Sequence, residues 1–548
     1  MRVDAIYRNG QFWTGDPNHP EARQIAVHQG RIIAIDELDG IEPKAEVDLG
    51  GARVVPGLHD AHHHLGLTGL RLANVDVRPS MVSTLDELYT ALEERAAQLP
   101  QGSWVLASGY DQNFLGGVHP TADAIDKAVG GRPCMLEHVS GHMIVANTRA
   151  FELAGYPNRE RYPNIDGGRV FRDDDGRAQG LLQETAMNPI RDAAATLSDA
   201  DILRNLKLAS DQSVAYGLTS ITEPGVVVDG RISGGTALHH YLSAIADGII
   251  RPRMTVMPFH STLHAIADGP SGWQTLDWGI RTGLGDDRLR IGPVKIVSDG
   301  SLVGRSAAVH DCYCGEPSNF GVMQLSPEDL HEALIAYHCA GWTVATHAIG
   351  DRAIDHVLDA IEAAQTKAPR TVRHRIEHFA IATDEQVRRC AELNVIPVPQ
   401  GVFISDFGDG ILDAVGPGRA AGTYRMRSLL DAGMVVPGST DSPVSNANPL
   451  VSIHDLVNRI TSSGQEFGPS ERVSVEEALV AYTFGSAYAV GVEEMRGRLM
   501  PDQLADFTVL SHDILRIDPA GIRDIGITGT VIGGELAYES SLKSHVNG

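Results

Sequence analysis

The chain has 548 residues, 43% of them hydrophobic and 21% charged, which is a globular composition with ample length for a large core. Its formal net charge of −25 argues against a nucleic-acid partner and against an anionic membrane surface, since both attract basic proteins. The five cysteines argue against a disulfide framework and favour a reducing compartment. Because the chain shows neither a secretory h-region nor a long apolar span, we expect a cytoplasmic protein without membrane helices.

Short strands are predicted at both ends of the chain. Two β-rich runs, residues 24–28 and 31–35, flank the turn Gln29-Gly30 and predict a hairpin. Residues 506–510 and 530–538 also read as short strands, and the second run contains a glycine pair. From this similarity we expect the two chain ends to pair into one small β-domain.

The middle of the chain alternates between apolar, β-branched runs and helical stretches. Residues 326–337, for example, predict a helix with Pro327 in its first turn. Such alternation predicts βαβ units and therefore a parallel sheet or barrel. The strand candidates are residues 53–55, 104–107, 220–222, 253–257, 294–297, 343–346, 375–378, 395–398 and 434–436. These are nine candidates where a barrel needs eight, so we assign 104–107 to a Gly- and Pro-rich inserted region at roughly 70–190.

A cluster of histidines follows the first of the barrel strands, in the segment Pro56-Gly-Leu-His-Asp-Ala-His-His-His64. Residues two apart on a strand face the same side, so His62 and His64 point one way together with Asp60. Two imidazoles at a strand end can chelate one metal ion. The alternative is a histidine-rich loop without a metal.

Three more donors lie at predicted strand ends further along the chain. His347 and His378 end two successive strands, and Asp441 ends a later one. Each is weak evidence alone, because a single histidine at a strand end is commonly a surface or hydrogen-bonded residue. Together with His62 and His64 they form an ordered set, and strand ends of a parallel barrel converge on one face. Nitrogen and oxygen donors of this kind suit zinc, manganese or iron.

Lys295 lies within the apolar strand Val294-Lys-Ile-Val297, where a buried ammonium is energetically expensive. Carboxylation of the amine by carbon dioxide would turn it into an anionic ligand able to bridge two metals. The alternatives are a lysine paired with Asp299 and a lysine whose amine reaches solvent.

These residues together resemble the amidohydrolase superfamily, and most closely its YtcJ-like branch, amidohydrolase family 3, over essentially the whole chain. The motifs are residues 56–64, 109–111, 140–142 with Asn147, 294–300, 347–352, 376–378 and 439–443. The resemblance implies an α/β protein: a (β/α)8 TIM-like barrel, residues 56–496, with a β-sandwich built from residues 1–55 and 497–548.

The resemblance also implies one or two divalent metal ions, most often zinc, with manganese or iron as alternatives. By position, His62, His64 and Asp441 would ligate the more buried metal, and His347 and His378 the second. Lys295, as N6-carboxylysine, would bridge the two. The segment Gln400-Gly-Val departs from the pattern expected at the end of strand seven.

The family commonly hydrolyses C–N bonds other than peptide bonds, in amides, N-formyl or N-acyl amines, carbamates or cyclic amides. The implied mechanism uses metal-activated hydroxide, with Asp441 as general base and then general acid. His142 is a second catalytic candidate, and Tyr110 and Asp111 are candidates for lining the substrate pocket.

Two further substrate-binding candidates have equally plausible structural roles. Glu184 is a pocket candidate whose alternative is an exposed helical glutamate. Arg305 could bind a substrate carboxylate, although a structural ion pair is the simpler expectation.

Two other functions stay open at this point. The same scaffold can carry non-hydrolytic chemistry, such as decarboxylation, a lyase reaction or iron- or manganese-dependent oxygenation, since a fold does not fix a function. It could also serve as a non-catalytic subunit of an assembly, although such a subunit need not keep all six donors. We expect a small-molecule substrate and a homodimer, with a hetero-oligomer as the alternative.

Overall fold

The computed structural model describes residues 1–79, 81–138, 143–165, 168–194, 197–227, 235–265 and 274–540. The chain forms two compact units. The first comprises residues 1–65, 210–233 and 237–548, and the second comprises residues 66–209 with 234–236. None of the described helices is long and apolar enough to cross a membrane.

Strands from both chain ends pair within the first unit. Arg53–Pro56 runs antiparallel to Phe507–Leu510, with Val54 opposite Val509, so strands from the two chain ends do pair. The prediction of 53–55 as the first parallel strand is wrong, because that place is taken by Leu58–Asp60. The sheet formed by the two paired strands also contains Gln11–Trp13, Glu21–Ala22, Ile527–Ile532 and Glu535–Glu539. A second sheet contains Arg2–Arg8, Ile25–His28, Arg31–Ile35 and Glu42–Asp48. The predicted N-terminal hairpin is its antiparallel pair Ile25–His28 and Arg31–Ile35.

Two four-stranded parallel sheets make up the centre of the first unit. One contains Leu58–Asp60, Leu218–Val226, Arg253–Pro258 and Leu289–Ile291. The other contains Val294–Val297, Val344–Ala348, Arg375–His378 and Ile396–Val398. Every residue of Leu218–Val226 is buried, as expected for a parallel strand that is covered on both faces. Because the strands are parallel and in sequence order, their carboxyl ends lie along common edges.

Single backbone contacts link the margins of these two sheets. Phe259 and Lys295 form a parallel bridge, and Gln400 forms another with Ser439. The backbone N–H of Ala61 donates to the carbonyl of Gly438 over 3.0 Å. The segment around Ser439 therefore lies between the last strand of one sheet and the first strand of the other.

Helices follow most of the central strands. Pro327–Cys339 begins where the sequence predicts it: Pro327 occupies the first turn, and the Ser326 hydroxyl accepts from the backbone N–H of Asp329. The other described α-helices wholly in the first unit are Leu238–Ala246, Asp351–Lys367, Asp384–Leu393, Phe403–Ala420, Met426–Asp431, Pro449–Asn458, Val475–Val480 and Ser486–Ala489. A short antiparallel pair, His264–Ala265 with Gln274–Thr275, completes the unit's strands as described.

The predicted strand at 434–436 is wrong, because these residues form no regular strand. Pro437 has no N–H to donate to a ladder. The next residue, Gly438, directs its N–H to the carbonyl of Ala481, outside the sheet. Among the described residues, strand-like contacts at this edge begin only at Gly438 and Ser439 and continue with the bond from the Asp441 N–H to the His62 carbonyl.

The second unit has its own sheet and core. Its six strands are Val75–Asp76, Val105–Tyr110, Cys134–His138, Met143–Ala146, Gly168–Arg172 and Ala178–Glu184. Its helices are Leu85–Gln98, Ala122–Val129, Thr148–Leu153 and Asn188–Ala194. The chain passes between the units within the helices Leu65–Ala73 and Asp199–Ala215. The candidate strand at 104–107 corresponds to Val105–Tyr110 of this unit.

Candidate metal centre

One cavity of about 480 Å³ in the first unit collects the donors that the sequence places at strand ends. All six predicted metal donors are among the residues that line this cavity: His62, His64, Lys295, His347, His378 and Asp441. They come from distant parts of the sequence, so only the parallel arrangement of the strands brings them together.

His62, His64 and Asp441 form the tightest group. The Nε2 atoms of His62 and His64 lie 3.4 and 3.2 Å from Oδ1 of Asp441. One candidate ligand atom from each of the three residues lies within 4.8 Å of the others. Asp441 is held in place by its backbone N–H, which donates to the His62 carbonyl over 2.8 Å.

Asp60 does not join this group, although strand alternation predicts that it faces the same way. The strand ends at Asp60, so the alternation does not continue through His64. The Asp60 carboxylate instead accepts from the backbone N–H of Thr440 over 3.0 Å and from the Thr440 hydroxyl over 2.5 Å. It therefore ties the segment carrying Asp441 to the segment carrying the two histidines.

His347 and His378 form a second group with ring centroids 4.5 Å apart. Nε2 of His347 lies 3.0 Å from the Gly300 carbonyl, and Nδ1 of His378 lies 2.9 Å from Oε1 of Gln400. Each acceptor engages one ring nitrogen, which leaves Nδ1 of His347 and Nε2 of His378 for a metal. Gln400, the departure noted in the sequence, thus orients His378.

Two buried carboxylates behind the histidines were missed by the sequence analysis. Glu377 Oε2 lies 2.5 Å from Nδ1 of His62, and Glu223 Oε1 lies 3.6 Å from Nδ1 of His64. Both carboxylates are fully buried. Carboxylates at such positions fix the tautomer and orientation of metal-binding imidazoles.

Arg375 compensates the charge of Glu377. Its guanidinium donates to both carboxylate oxygens of Glu377 over 2.8 Å and to the Ala61 carbonyl over 2.8 Å. The sequence does contain a signal for this pair: two opposite charges, two residues apart, share one side of a predicted strand.

Burial keeps most of the histidines neutral, which is the form that binds metals. Desolvation lowers the pKa of His62 and His378 well below the usual value. Desolvation and the neighbouring Lys295 lower the pKa of His347 to about 3. His64 differs: burial opposes its charge, but the neighbouring carboxylates of Asp441 and Glu223 outweigh burial and raise its pKa to about 9. A metal ion bound through His64 would have to displace that proton.

Lys295 is 5% exposed, and burial lowers the pKa of its amine to about 8. Its Nζ atom makes no hydrogen bond or ion pair with any residue that the structure describes. The pairing with Asp299 is not formed, because that carboxylate accepts the backbone N–H groups of Ala308, Ile349 and Gly350. The side chain is buried and lines the cavity, so the amine does not extend to the outer surface of the protein.

Three residues that line the cavity have strained backbone conformations. His378, Asp441 and Tyr424 line it with φ angles of 74°, 60° and 49°, in the left-handed region that side chains rarely adopt. Such conformations persist where surrounding structure enforces them, and they cluster at functional sites.

The remaining candidates belong to the second unit, lie outside the described residues or make other contacts. His142 lies outside the described residues. Tyr110, Asp111 and Glu184 belong to the second unit. There the Tyr110 hydroxyl lies 3.1 Å from Nδ1 of His119, and Glu184 ends the strand Ala178–Glu184 rather than lying on a helix. Their catalytic and substrate-binding roles stay predictions.

Arg305 belongs to the first unit and adopts the structural ion pair that the sequence allowed as its alternative. Its guanidinium pairs with Glu316 over 2.8 Å and with Asp413 over 2.6 Å. It also donates to the carbonyl of Cys314. These contacts occupy the group that would bind a substrate carboxylate.

The donor set fits a divalent transition metal. Imidazole nitrogens with a carboxylate oxygen are the ligands that zinc, manganese and iron share, whereas calcium and magnesium prefer oxygen donors alone. His62, His64 and Asp441 would hold one ion, and His347 and His378 would hold a second or complete the first.

Comparison with known proteins agrees with this geometry. Residues 45–538 match the profile of the amidohydrolase family. Over 98% of its length the chain is 32% identical to Protein LONG AFTER FAR-RED 3 of Arabidopsis thaliana, covering 92% of that protein. Over the same share it is 29% identical to YtcJ of Bacillus subtilis, named as an amidohydrolase, covering all of it. It is 28% identical to the N-substituted formamide deformylase of Arthrobacter pascens, with 98% of each chain covered.

Among solved structures, a metal-dependent hydrolase of Pyrococcus furiosus superposes with a TM-score of 0.75 at 28% identity. The match covers 93% of this chain and all of the other. The profile match over most of the chain and the full-length relatives lead to one conclusion: the chain belongs to the amidohydrolase family, as its motifs predicted.

Proposed function

We propose that this protein hydrolyses a C–N bond, other than a peptide bond, in a small amide, N-formyl or N-acyl amine, carbamate or cyclic amide. Family membership supports a metal-dependent hydrolase. The Arthrobacter relative, named a formamide deformylase, supports the N-formyl class at 28% identity. The observation that carries the proposal is the convergence of six donor residues on one cavity.

We further propose that the parallel strands and the segment at Ser439 close into an eight-stranded barrel. The bridges Phe259–Lys295 and Gln400–Ser439, with the Ala61–Gly438 hydrogen bond, support this closure. The two terminal sheets share an apolar core that includes Tyr7, Phe12 and Phe507, which supports the sandwich. Barrel enzymes carry their active sites at the carboxyl ends of the strands, where these donors lie.

The donor set would hold one or two divalent ions, zinc in preference to manganese or iron. A bound ion lowers the pKa of a water molecule and polarises a carbonyl. Asp441 takes a proton from the attacking water and returns it to the leaving amine, so that one amide and one water give one carboxylic acid and one amine. Its Oδ1 lies against the Nε2 atoms of His62 and His64, which keeps the carboxylate at the reacting centre.

Lys295 is proposed to carry a carbamate. Its neutral amine would add to carbon dioxide with loss of one proton, giving an anionic carboxylate in place of a buried ammonium. Three features support this: a pKa lowered by burial to about 8, the absence of any ion pair with the described residues, and a position on the cavity wall.

The test is a hydrolysis screen of N-formyl, N-acyl and carbamate compounds with the zinc-supplemented protein, beside the Asp441→Asn variant. We expect the wild type to release amine and the variant to lose turnover by about 10²–10⁴-fold, because the proton carrier is gone. The variant should keep part of its bound metal, since the histidines remain. Near-wild-type turnover in Asp441→Asn would remove Asp441 from its role. Redox-active iron with no hydrolysis would favour the oxygenase chemistry.

A further inference from the structure

The cavity that holds the metal donors has a mainly apolar wall beyond those donors. Beyond the six donors, its described lining residues carry no charged side chain. The wall continues instead through Phe403, Phe407 and Ile411, with Leu302 and Val303 from the segment that follows strand Val294–Val297. A volume of about 480 Å³ lies within the range of small-ligand pockets, about 300–1,000 Å³.

One helix supplies an apolar path that starts at the donors. Phe403, Phe407 and Ile411 are four residues apart on Phe403–Ala420 and so share one face of it. The Phe403 ring lies parallel to that of His378 at 6.4 Å, and the Phe407 ring packs edge-on against Phe403 at 4.9 Å. The path therefore leads away from the metal donors along a continuous apolar surface.

The cationic residue that lies next to a cavity-lining residue in the sequence does not make the apolar wall charged. Arg305 directly follows the cavity-lining Gly304, but Glu316 and Asp413 hold its guanidinium. An ionised substrate group placed against Phe407 or Ile411 would lose its hydration without gaining a partner, which is costly. An uncharged apolar group would gain from leaving water there.

We propose that the substrate carries an uncharged aryl or alkyl substituent on its reacting C–N group, and that Phe407 and Ile411 select for it. This inference rests on the proposed metal-dependent function, because the reacting group must lie at the donor end. It narrows the substrate class to hydrophobic N-substituted or acyl-substituted compounds. It also makes Phe407 and Ile411 specificity-determining residues.

The experiment measures binding of hydroxamates, which chelate metals, to the zinc-loaded protein by calorimetry. The series is acetohydroxamate, butanohydroxamate and hexanohydroxamate, with adipic acid monohydroxamate as the charged match of the longest member. We expect affinity to rise about two- to four-fold per methylene. Adipic acid monohydroxamate should bind with an affinity lower than that of hexanohydroxamate by on the order of ten-fold or more.

Neighbouring residues on the helix provide a matched pair of variants. Ile411→Ala should remove most of the gain of the longer members while leaving acetohydroxamate unchanged, because Ile411 lines the cavity. Leu412→Ala should keep the full gain, since Leu412 packs against the core without lining the cavity. Phe407→Ala gives a second test that does not depend on the folding of Ile411→Ala.

The outcomes separate this inference from the proposed function. A flat series, a preference for the charged match, or equal losses in Ile411→Ala and Leu412→Ala would overturn the inference even if hydrolysis is found. A rising series that is lost in Ile411→Ala would support it even if no hydrolysed substrate is found. If no hydroxamate binds the zinc-supplemented protein, the inference and the proposed function fail together.

Discussion

Charged side chains behind the histidines fix the orientation of the imidazole rings that would bind a metal. Glu377 lies 2.5 Å from Nδ1 of His62, and Arg375 fixes Glu377 by two hydrogen bonds. The Nε2 atom of His62 is thereby directed towards Asp441, 3.4 Å away. Glu377 is therefore a positioning residue, which acts on the metal through His62.

Replacing Glu377 by glutamine tests this role. Glu377→Gln should weaken metal affinity about 10–100-fold, because the neutral amide orients and polarises the imidazole less well. The measurement is a competitive zinc titration against a chromophoric chelator, with thermal unfolding recorded to verify that the variant folds.

The control is Glu385→Gln, which removes an exposed carboxylate paired with Arg388. It should leave zinc affinity unchanged. Equal affinities for wild type and Glu377→Gln would show that His62 is oriented without this carboxylate.

Residue-level chemistry was partly readable from the sequence. Strand alternation selected His62 and His64, even though the strand ends at Asp60, four residues earlier than that reasoning assumes. Glu223 was missed because its partner His64 lies about 160 residues away, and no local pattern reports such a pairing. Asp60 was placed wrongly, since a chain leaving its strand no longer alternates.

At the scale of elements, the histidine pair His338–His374 joins the helix Pro327–Cys339 to the start of strand Arg375–His378. Nδ1 of His338 lies 2.9 Å from Nε2 of His374, and Nδ1 of His374 accepts from the backbone N–H of Val344. Nε2 of His338 is then left to donate to the carbonyl of Ala368. Every polar atom of both rings is used, with both rings neutral.

This pair predicts a loss of stability in acid. Burial lowers the pKa of His338 and brings that of His374 to about 3. The unfolded chain takes up these protons below about pH 6.5, and the folded chain does so only at lower pH. The stability that His374 contributes at neutral pH is therefore lost as the pH falls from about 6.5 towards 3, by up to about 1.4 kcal/mol per pH unit. The lowered pKa of His338 acts in the same direction.

Urea unfolding between pH 7 and pH 4.5 checks this prediction. His374→Gln should be less stable at pH 7 but should lose less of its remaining stability on acidification. The exposed His512 supplies the control, and His512→Gln should follow the wild-type slope. A slope in His374→Gln as steep as that of the wild type would contradict the account.

Helices and strands with clear local sequence signals were predictable, and elements that depend on contacts with distant residues were not. The helix Pro327–Cys339 is marked locally by Ser326 and Pro327, so it appears where expected. The run at 434–436 reads as a strand, yet Pro437 and the bond from Gly438 to Ala481 stop it from forming one. That bond depends on a residue more than forty positions away, which the sequence does not reveal.

At the scale of the whole molecule, the donors of one cavity come from segments between His62 and Asp441. The order of strand ends, and not any single motif, predicts that these donors meet. Pairing of the two chain ends was expected from their similar short strands, but the run at 53–55 was predicted as a parallel barrel strand and lies instead in the terminal sheet, antiparallel to Phe507–Leu510. The domain bounds and the oligomeric state stay predictions. So do the roles of Tyr110, Asp111, Glu184 and His142, because substrate-contacting residues on loops follow no periodic sequence pattern.

The central claim, that this constellation is a metal centre, is tested most directly by metal content. Elemental analysis of the zinc-supplemented protein should find one or two ions per chain. The double variant His62→Asn/His378→Asn should lose them, because it removes a donor from each group, and His512→Asn should retain the wild-type content. A wild-type chain that holds no metal after supplementation, or a double variant that holds as much as the wild type, would contradict the account.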